Sequence, residues 1–252
     1  MRRTCALAAV VAGTALLAGC GDAGRFGAPE PATEQGESIL VLYQGFFITA
    51  LAVGALVWGL LVYVLLRFRR RNDDVPRQNP YNIPIEITYT ITPLLVVAAL
   101  FAFSWRTEVD VSEVGDQPDV ALRIVGFQWQ WQFSYLDESG EVEAELIGDG
   151  TGDPPQLVLP IDSTVQFDLV ANDVNHSFWV PEFLEKRDLI PGIENVIEVD
   201  TTREGTYQGR CAEFCGLDHW RMQFSVRIVP QAEYDTWLAE QGDLLDEGAT
   251  AP

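Results

Sequence analysis

The sequence predicts a two-helix membrane hairpin followed by an all-β domain. Two uncharged stretches, 39–66 and 87–105, have the length and composition of membrane-spanning helices. Beyond residue 119, short runs of β-branched, aromatic and alternating residues are separated by Gly, Pro and Asp, which is typical of a sandwich or barrel.

The net charge of -21 lies mostly in the C-terminal two-thirds. It argues against nucleic-acid binding, which needs a basic surface.

The N-terminus has the features of a targeting segment. Arg2 and Arg3 precede an apolar stretch at 6–18, which predicts a signal peptide over residues 1–19. The stretch ends in Leu-Ala-Gly-Cys20, which resembles a bacterial lipobox and predicts cleavage before Cys20 and lipidation of its thiol. An ordinary signal with an incidental cysteine is the alternative. Residues 20–37 are rich in Gly, Pro, Ala and Glu and are predicted to form a lipidated flexible tether.

Residues 38–107 are predicted to form the membrane hairpin. A buried hairpin in a soluble protein is the alternative, but the first span is too long to favour it. Five arginines crowd the connecting loop: Arg67, Arg69, Arg70, Arg71 and Arg77. The positive-inside rule places this loop in the cytoplasm. The tether and the C-terminal domain then lie on the extracytoplasmic side.

The remaining chain is predicted to be a β domain over residues 108–230 and an acidic tail over 231–252. Strands are expected at 120–125, 128–135, 156–161, 164–170, 195–199 and 222–229. The tail begins as an amphipathic helix carrying Tyr234, Trp237 and Leu238. It ends in small and acidic residues, which predict disorder.

A cluster of soft ligands lies near the end of the β domain. Cys211, Cys215, His219 and Met222 fall within twelve residues, and His176 lies upstream in Asn-His-Ser-Phe-Trp. The chain has two histidines, and both belong to this set. Sulfur with imidazole selects copper, and a weak axial Met indicates electron transfer.

Other interpretations of the cluster are open. Two cysteines four residues apart in an exported domain are compatible with a disulfide, although that leaves His219 and Met222 unexplained. Zinc accepts two Cys and two His but does not usually recruit Met. A mononuclear blue copper site uses one Cys and leaves the second unused. Two thiolates that each bridge two metals would use every donor and would hold two copper ions.

The motif Cys-x3-Cys-x3-His-x2-Met, with an upstream His, resembles the dinuclear copper A site of subunit II of haem-copper cytochrome c oxidases. The resemblance covers about residues 38–230. It implies that both cysteine sulfurs bridge the two coppers, that each histidine binds one copper, and that two weak ligands complete the site. The implied ligands are His176, Cys211, Cys215, His219, Met222 and the backbone carbonyl of Glu213.

The same resemblance implies a fold and a second metal. The β domain would be a cupredoxin-like Greek-key sandwich or barrel, with the copper motif in the loop that joins the last two strands. His176 would come from another loop at the same end. The Glu213 carboxylate would face subunit I and help to bind a magnesium ion at the interface.

The segment Gly126-Phe-Gln-Trp129-Gln-Trp131 resembles a short aromatic motif of the family. The resemblance implies that Trp129 lies at the surface where the electron donor docks and receives the electron. The alternative is that Trp129 and Trp131, two residues apart, share one strand face and pack in the sandwich. Phe127 and Gln130 stand where the family commonly has His and an aromatic residue, so donor docking is expected to differ in detail.

Three further parts of the sequence are candidates for a functional role. Glu86 precedes Pro93 by seven residues, which resembles the family's second helix, where such a Glu marks the mouth of a proton channel. The alternative is a solvated carboxylate that favours the helix dipole. Asp173 is a candidate to orient His176. The segment 186–188 either faces the catalytic subunit or forms a polar turn.

The resemblance implies subunit II of a respiratory cytochrome c oxidase in a bacterial cytoplasmic membrane. It would accept electrons from a cytochrome c or a cytochrome bc complex and pass them to haem in subunit I. There oxygen is reduced to water, coupled to proton pumping. The chain has no Cys-x-x-Cys-His, so the donor would be a separate protein. A quinol-oxidase subunit lacks these copper ligands; a membrane-anchored copper-delivery lipoprotein is the alternative from another class.

Overall fold

The structure is a computed structural model that describes residues 24–249 except 74, 76, 77, 116 and 149–153. The predicted signal peptide, Cys20 and Arg77 lie outside the described residues, so the predictions for them stay untested. Two long helices come first, α1 (Glu34–Arg67) and α2 (Ile83–Val111). Ten strands follow, and a C-terminal helix, α3 (Gln231–Ala249), ends the described chain.

Helices α1 and α2 contain the two predicted membrane spans, and both are long and apolar enough to cross a membrane. Each helix extends beyond its uncharged stretch because a polar cap starts it outside the span. The Thr33 hydroxyl accepts a hydrogen bond from Gly36 N at the start of α1, and the Asn82 side chain accepts one from Ile85 N at the start of α2.

The β domain is a sandwich of two five-stranded sheets. One sheet has the order β3-β2-β1-β5-β8, and the other has the order β4-β10-β9-β6-β7. The strands are β1 (Val120–Phe127), β2 (Gln130–Leu136), β3 (Val142–Ile147), β4 (Gln156–Pro160), β5 (Thr164–Ala171), β6 (His176–Val180), β7 (Glu185–Leu189), β8 (Asn195–Asp200), β9 (Gly205–Cys211) and β10 (Gln223–Val229). The predicted fold class, a two-helix hairpin followed by a β-sandwich, is confirmed.

The sandwich core forms where the inward faces of the two sheets meet. Strand β5 alternates buried and half-buried residues along its whole length, as a period-two strand requires. Aromatic rings fill the space between the sheets: Phe178 stacks on Phe224 with ring centroids 4.8 Å apart, and Trp131 meets Phe224 edge-on at 5.3 Å. Nearby, the Tyr135 hydroxyl donates to Val158 O and accepts from Val158 N, which joins β2 to β4 across the sandwich.

Four strands were missed by the sequence patterns: β3, β6, β7 and β9. Strand β9 alternates exposed and buried positions, but one of its buried positions is Gly209. A Cβ atom at Gly209 would collide with the Phe224 ring, so this ring occupies the space that a side chain of β9 would otherwise fill. The alternation is therefore interrupted in the sequence of β9, because its middle buried position carries no side chain.

The end of the predicted flexible tether differs from the structure, because it is fixed to the β domain. Ala32 and Thr33 are buried, Ala32 N donates to Glu182 O, and Thr202 N donates to Ala32 O. Gln35 in the first turn of α1 exchanges two hydrogen bonds with Asp200 at the end of β8, at 2.9 and 2.8 Å. These contacts attach the β domain to the membrane hairpin.

The predicted tail also differs from the structure. Its first part is helical as expected, and Tyr234 and Trp237 pack against Tyr135 of β2. Helix α3, however, continues to Ala249 instead of ending in a disordered segment.

The Gly209→Ala substitution should destabilise the sandwich, because the added methyl group would meet the Phe224 ring in a closely packed core. We expect the free energy of unfolding of the β domain to fall by about 1–3 kcal/mol. Denaturant unfolding followed by tryptophan fluorescence measures it. Gly115→Ala is the control, since its Cβ would lie 3.4 Å from the flexible Glu198 carboxylate. Equal stability of the two variants would contradict the packing described for Gly209.

Candidate metal centre

The cysteine motif forms a closed loop between β9 and β10, residues 211–222, which we call the metal loop. Cys211 is the last residue of β9, and its N–H donates to Met222 O at 2.9 Å, which holds the two ends of the loop together. A short 3-10 helix, His219–Arg221, turns the chain back towards β10. The predicted position of the loop, between the last two strands, is confirmed.

His176 is the first residue of β6, and not a loop residue as the sequence predicted. Strand β6 lies beside β9 in the same sheet, with Phe178 paired to Cys211. This pairing brings the fully buried His176 ring to the metal loop, with Nδ1 3.9 Å from Cys211 Sγ. Sheet pairing thus places a residue 35 positions upstream at the cysteine pair.

The remaining donor atoms surround the two sulfurs. Cys211 Sγ and Cys215 Sγ are 3.9 Å apart. Cys215 Sγ lies 3.6 Å from His219 Nδ1 and 3.8 Å from Met222 Sδ. The backbone carbonyl oxygen of Glu213 lies 3.2 Å from Cys211 Sγ. All six atoms that the sequence singled out are therefore brought together at one end of the sandwich.

The two cysteines are free thiols in a geometry that suits shared metal ligation. Their 3.9 Å separation is too long for a disulfide, whose S–S bond is about 2.05 Å. It is also shorter than two metal–thiolate bonds of about 2.3 Å laid end to end. An ion bound to both sulfurs would therefore lie to one side of the line that joins them. The donor set fits a dinuclear copper site.

The electrostatics of the thiols point to a cation. Burial raises the pKa of Cys215 to about 12, and the neighbouring Cys211 sulfur adds to the rise. Burial, the largest single influence, also opposes ionisation of Cys211, but the hydrogen bond with His176, contacts with the backbone of Glu213 and Ser177 and the charge of His176 together lower that pKa below its usual value. Since the first thiolate opposes formation of the second, the pair is stable as two thiolates only with positive charge between them.

Asp173 fixes the orientation of His176. Its Oδ1 lies 2.9 Å from His176 Nε2 and accepts from Val174 N at 2.6 Å, which leaves Nδ1 directed at Cys211. Burial alone would raise the pKa of Asp173, but hydrogen bonds from His176 and from Gln128 and Val174 N–H groups lower it. A metal-bound histidine commonly donates its other ring N–H to a carboxylate in this way. The role expected for Asp173 is thus compatible with its contacts.

Trp129 and Trp131 do not share a strand face. Trp131 is a fully buried residue of β2. Its ring packs edge-on against the His176 ring, and its indole N–H donates to Met222 O at 3.4 Å. Trp129 instead lies in the two-residue turn, Gln128–Trp129, that joins β1 to β2. We call this turn the hairpin tip.

The hairpin tip packs against the metal loop. Gly216 follows Cys215 with φ at +126°, and a Cβ there would lie 3.1 Å from Trp129 Nε1 and 3.0 Å from Gln128 Nε2. Gly216 therefore permits both the loop conformation and the close approach of the indole. Gln128 and Gly216 were not predicted as site residues, although both stand beside residues of the two motifs.

The other predicted residues lie outside this cluster. Glu86 is in the first turn of α2, where its carboxylate accepts from Asn82 N at 2.8 Å and caps the helix. The segment 186–188 belongs to strand β7, which is paired with β6, and so is not a polar turn. Arg187 pairs with Glu185 at 2.8 Å within that strand.

Comparison with known proteins identifies the family. Residues 120–229 match the model for the cytochrome c oxidase subunit II periplasmic domain, and residues 23–107 match the model for its transmembrane domain. A probable cytochrome c oxidase subunit 2 of Streptomyces coelicolor is 39% identical over 97% of this chain and 88% of the relative. The chain belongs to the cytochrome c oxidase subunit II family.

Another relative and a solved periplasmic domain are also similar to this chain. The cytochrome c oxidase subunit 2 of Mycobacterium tuberculosis is 31% identical and aligns over 96% of this chain and 82% of its own length. The crystal structure of the periplasmic domain of subunit II from Bradyrhizobium japonicum covers 52% of this chain and 98% of that one, with 25% identity and a TM-score of 0.46. As a subunit II, the chain is a component of a haem-copper oxidase. It is a membrane protein with two spans and a periplasmic β domain.

The Asp173→Asn substitution should weaken copper binding, because the amide cannot hold the His176 imidazole as a carboxylate does. We expect a loss of copper affinity of about 10- to 100-fold, measured by competition with a chelator of known affinity. Asp168→Asn on β5 is the matched control. The Asp168 carboxylate accepts a hydrogen bond from the Gln166 side chain and makes no hydrogen bond to a candidate ligand. Unchanged affinity in Asp173→Asn would show that this carboxylate does not orient the histidine.

Proposed function

We propose that this chain accepts electrons one at a time from a cytochrome c, or from a cytochrome bc complex, at a dinuclear copper A centre and passes them to haem in subunit I. One observation carries the proposal: two buried cysteine sulfurs face each other at 3.9 Å, with imidazole, thioether and carbonyl donors around them. A bound copper pair supplies a one-electron carrier. Oxygen reduction and proton pumping belong to the complete oxidase.

The proposed roles follow the positions of the donors. The sulfurs of Cys211 and Cys215 would bridge both ions, and His176 and His219 would each bind one. Met222 Sδ and the Glu213 carbonyl oxygen would be the weak ligands. Each lies within 3.9 Å of a cysteine sulfur.

The protein holds these donors rigidly. Cys211 is fixed by β9, His176 by β6, and Met222 by the hydrogen bonds that close the metal loop onto β10. Cys211, Cys215, His176 and Met222 are buried, so the sandwich restricts their movement. Ligands that barely move when the charge changes keep the reorganisation energy of electron transfer low.

Trp129 is the proposed point at which the electron arrives. Its ring is half-buried at the hairpin tip, in contact with the residue that follows Cys215. It also lines a groove of about 320 Å³ between the hairpin tip and the exposed Trp220. The acidic net charge of the chain favours a donor with a basic face, because opposite fields steer encounter.

Three further roles rest on the family resemblance. The Glu213 carboxylate would contribute to a magnesium site shared with subunit I. Glu86 would stand at the mouth of a proton channel, a role that its position at the start of α2 permits. Cys20 would carry lipid and add an anchor to the two spans.

The Cys215→Ser substitution tests the proposal. Serine offers a hydroxyl in place of a soft thiolate, so the variant should not form the dinuclear centre and electron transfer from cytochrome c should fall to background. Copper content and stopped-flow reduction by cytochrome c measure the two effects. Asp168→Asn, on β5 and outside the donor set and the groove, should retain both. Wild-type turnover in Cys215→Ser would refute the assignment.

A further inference from the structure

Gln128 connects the hairpin tip to both segments that carry candidate ligands. Its backbone N–H donates to Asp173 Oδ2 at 2.7 Å. Its side-chain amide donates to the carbonyl oxygen of Cys215 at 2.6 Å. One residue thus makes a hydrogen bond to the segment before β6 and another to the metal loop.

These two hydrogen bonds place Gln128 between the Asp173–His176 pair and the metal loop. Asp173 uses its other oxygen, Oδ1, to hold His176 Nε2. The Cys215 carbonyl belongs to the residue whose sulfur faces Cys211. The hairpin tip, His176 and the metal loop are therefore linked by one chain of hydrogen bonds through Asp173 and Gln128.

Trp129 has no comparable attachment of its own. Its indole Nε1 is buried and has no hydrogen-bond partner among the described residues. The ring contacts the metal loop through van der Waals packing against Gly216. The ring also packs against the edge of the core. The hydrogen bonds of the adjacent Gln128 add directed contacts that tie the hairpin tip to the metal loop.

We infer that Gln128 is a positioning residue that holds Trp129 against the metal loop at Cys215. The inference rests on the proposed function, in which the electron passes from Trp129 to the copper centre. Electronic coupling falls exponentially with the gap that an electron crosses. Release of the hairpin tip would therefore slow arrival of the electron while leaving the donor set intact.

The test uses the complete oxidase with Gln128→Met, which keeps the length of the side chain and removes its donor. We expect full copper content and a KM for cytochrome c within about twofold of wild type. The rate of first-electron transfer should fall roughly threefold to tenfold, because loss of one hydrogen bond lowers by about that factor the fraction of molecules in which the indole lies close to the metal loop. Gln166→Met is the matched control, because the Gln166 amide donates to Asp168 on β5.

A second measurement does not depend on activity. Hydrogen exchange of backbone amides should rise in peptides that cover residues 126–131 and 215–219, and should stay unchanged in the rest of the sandwich. The copper electron paramagnetic resonance spectrum reports whether the ligands themselves have moved. Wild-type transfer rate and wild-type exchange in Gln128→Met would overturn the inference. A raised KM with an unchanged first-electron rate would make Gln128 a docking contact, which also overturns it.

If Gln128→Met loses copper, Gln128→Asn is measured in its place. The Asn side-chain amide is one methylene too short to reach Cys215 O. Slower first-electron transfer with copper retained supports the inference, whereas a normal rate or loss of copper in this variant too overturns it. Trp129→Phe, measured in parallel, separates this inference from the proposed function. If Trp129→Phe transfers as fast as wild type, the role of Trp129 fails. If only Trp129→Phe is slow, Gln128 alone is misassigned.

Discussion

The site depends on the enforced closeness of two buried thiols. At 3.9 Å, one thiolate strongly opposes the other, so the pair calls for a cation between them. The separation is short enough for one ion to contact both sulfurs. The surrounding donors are soft or neutral, and the Asp173 carboxylate contacts a histidine instead of the sulfurs. This chemistry favours copper over hard cations.

The sandwich maintains that geometry by ordinary strand pairing. Strands β6, β9 and β10 are neighbours in one sheet, and each contributes a donor or an end of the metal loop. Strand β2 from the opposite sheet supplies Trp131, which packs between His176 and the loop closure at Met222. At the junction with the hairpin, Gln35 and Asp200 fasten α1 to β8. The metal centre and the membrane spans are thereby parts of one connected framework.

Sequence reasoning succeeded where residue chemistry or a long apolar run carried the signal. The donor set could be predicted because thiols, imidazoles and a thioether at regular spacing form the ligand set of a soft metal ion. Strand β9 was missed because its inward-facing Gly209 has no side chain, and the Phe224 ring fills that space. The predicted strand 128–135 included Trp129, because i, i+2 spacing of aromatic residues does not reveal a two-residue turn. Ala32 and Thr33 look like tether residues, and only their tertiary partners make them part of the core.

The most direct test is the copper content and electron paramagnetic resonance spectrum of the purified, copper-loaded protein. The account predicts two coppers per chain and one unpaired electron shared equally, with hyperfine structure from two copper nuclei. One copper per chain with an ordinary mononuclear signal, or no bound copper, would contradict it. That result would favour a copper-delivery role over electron transfer.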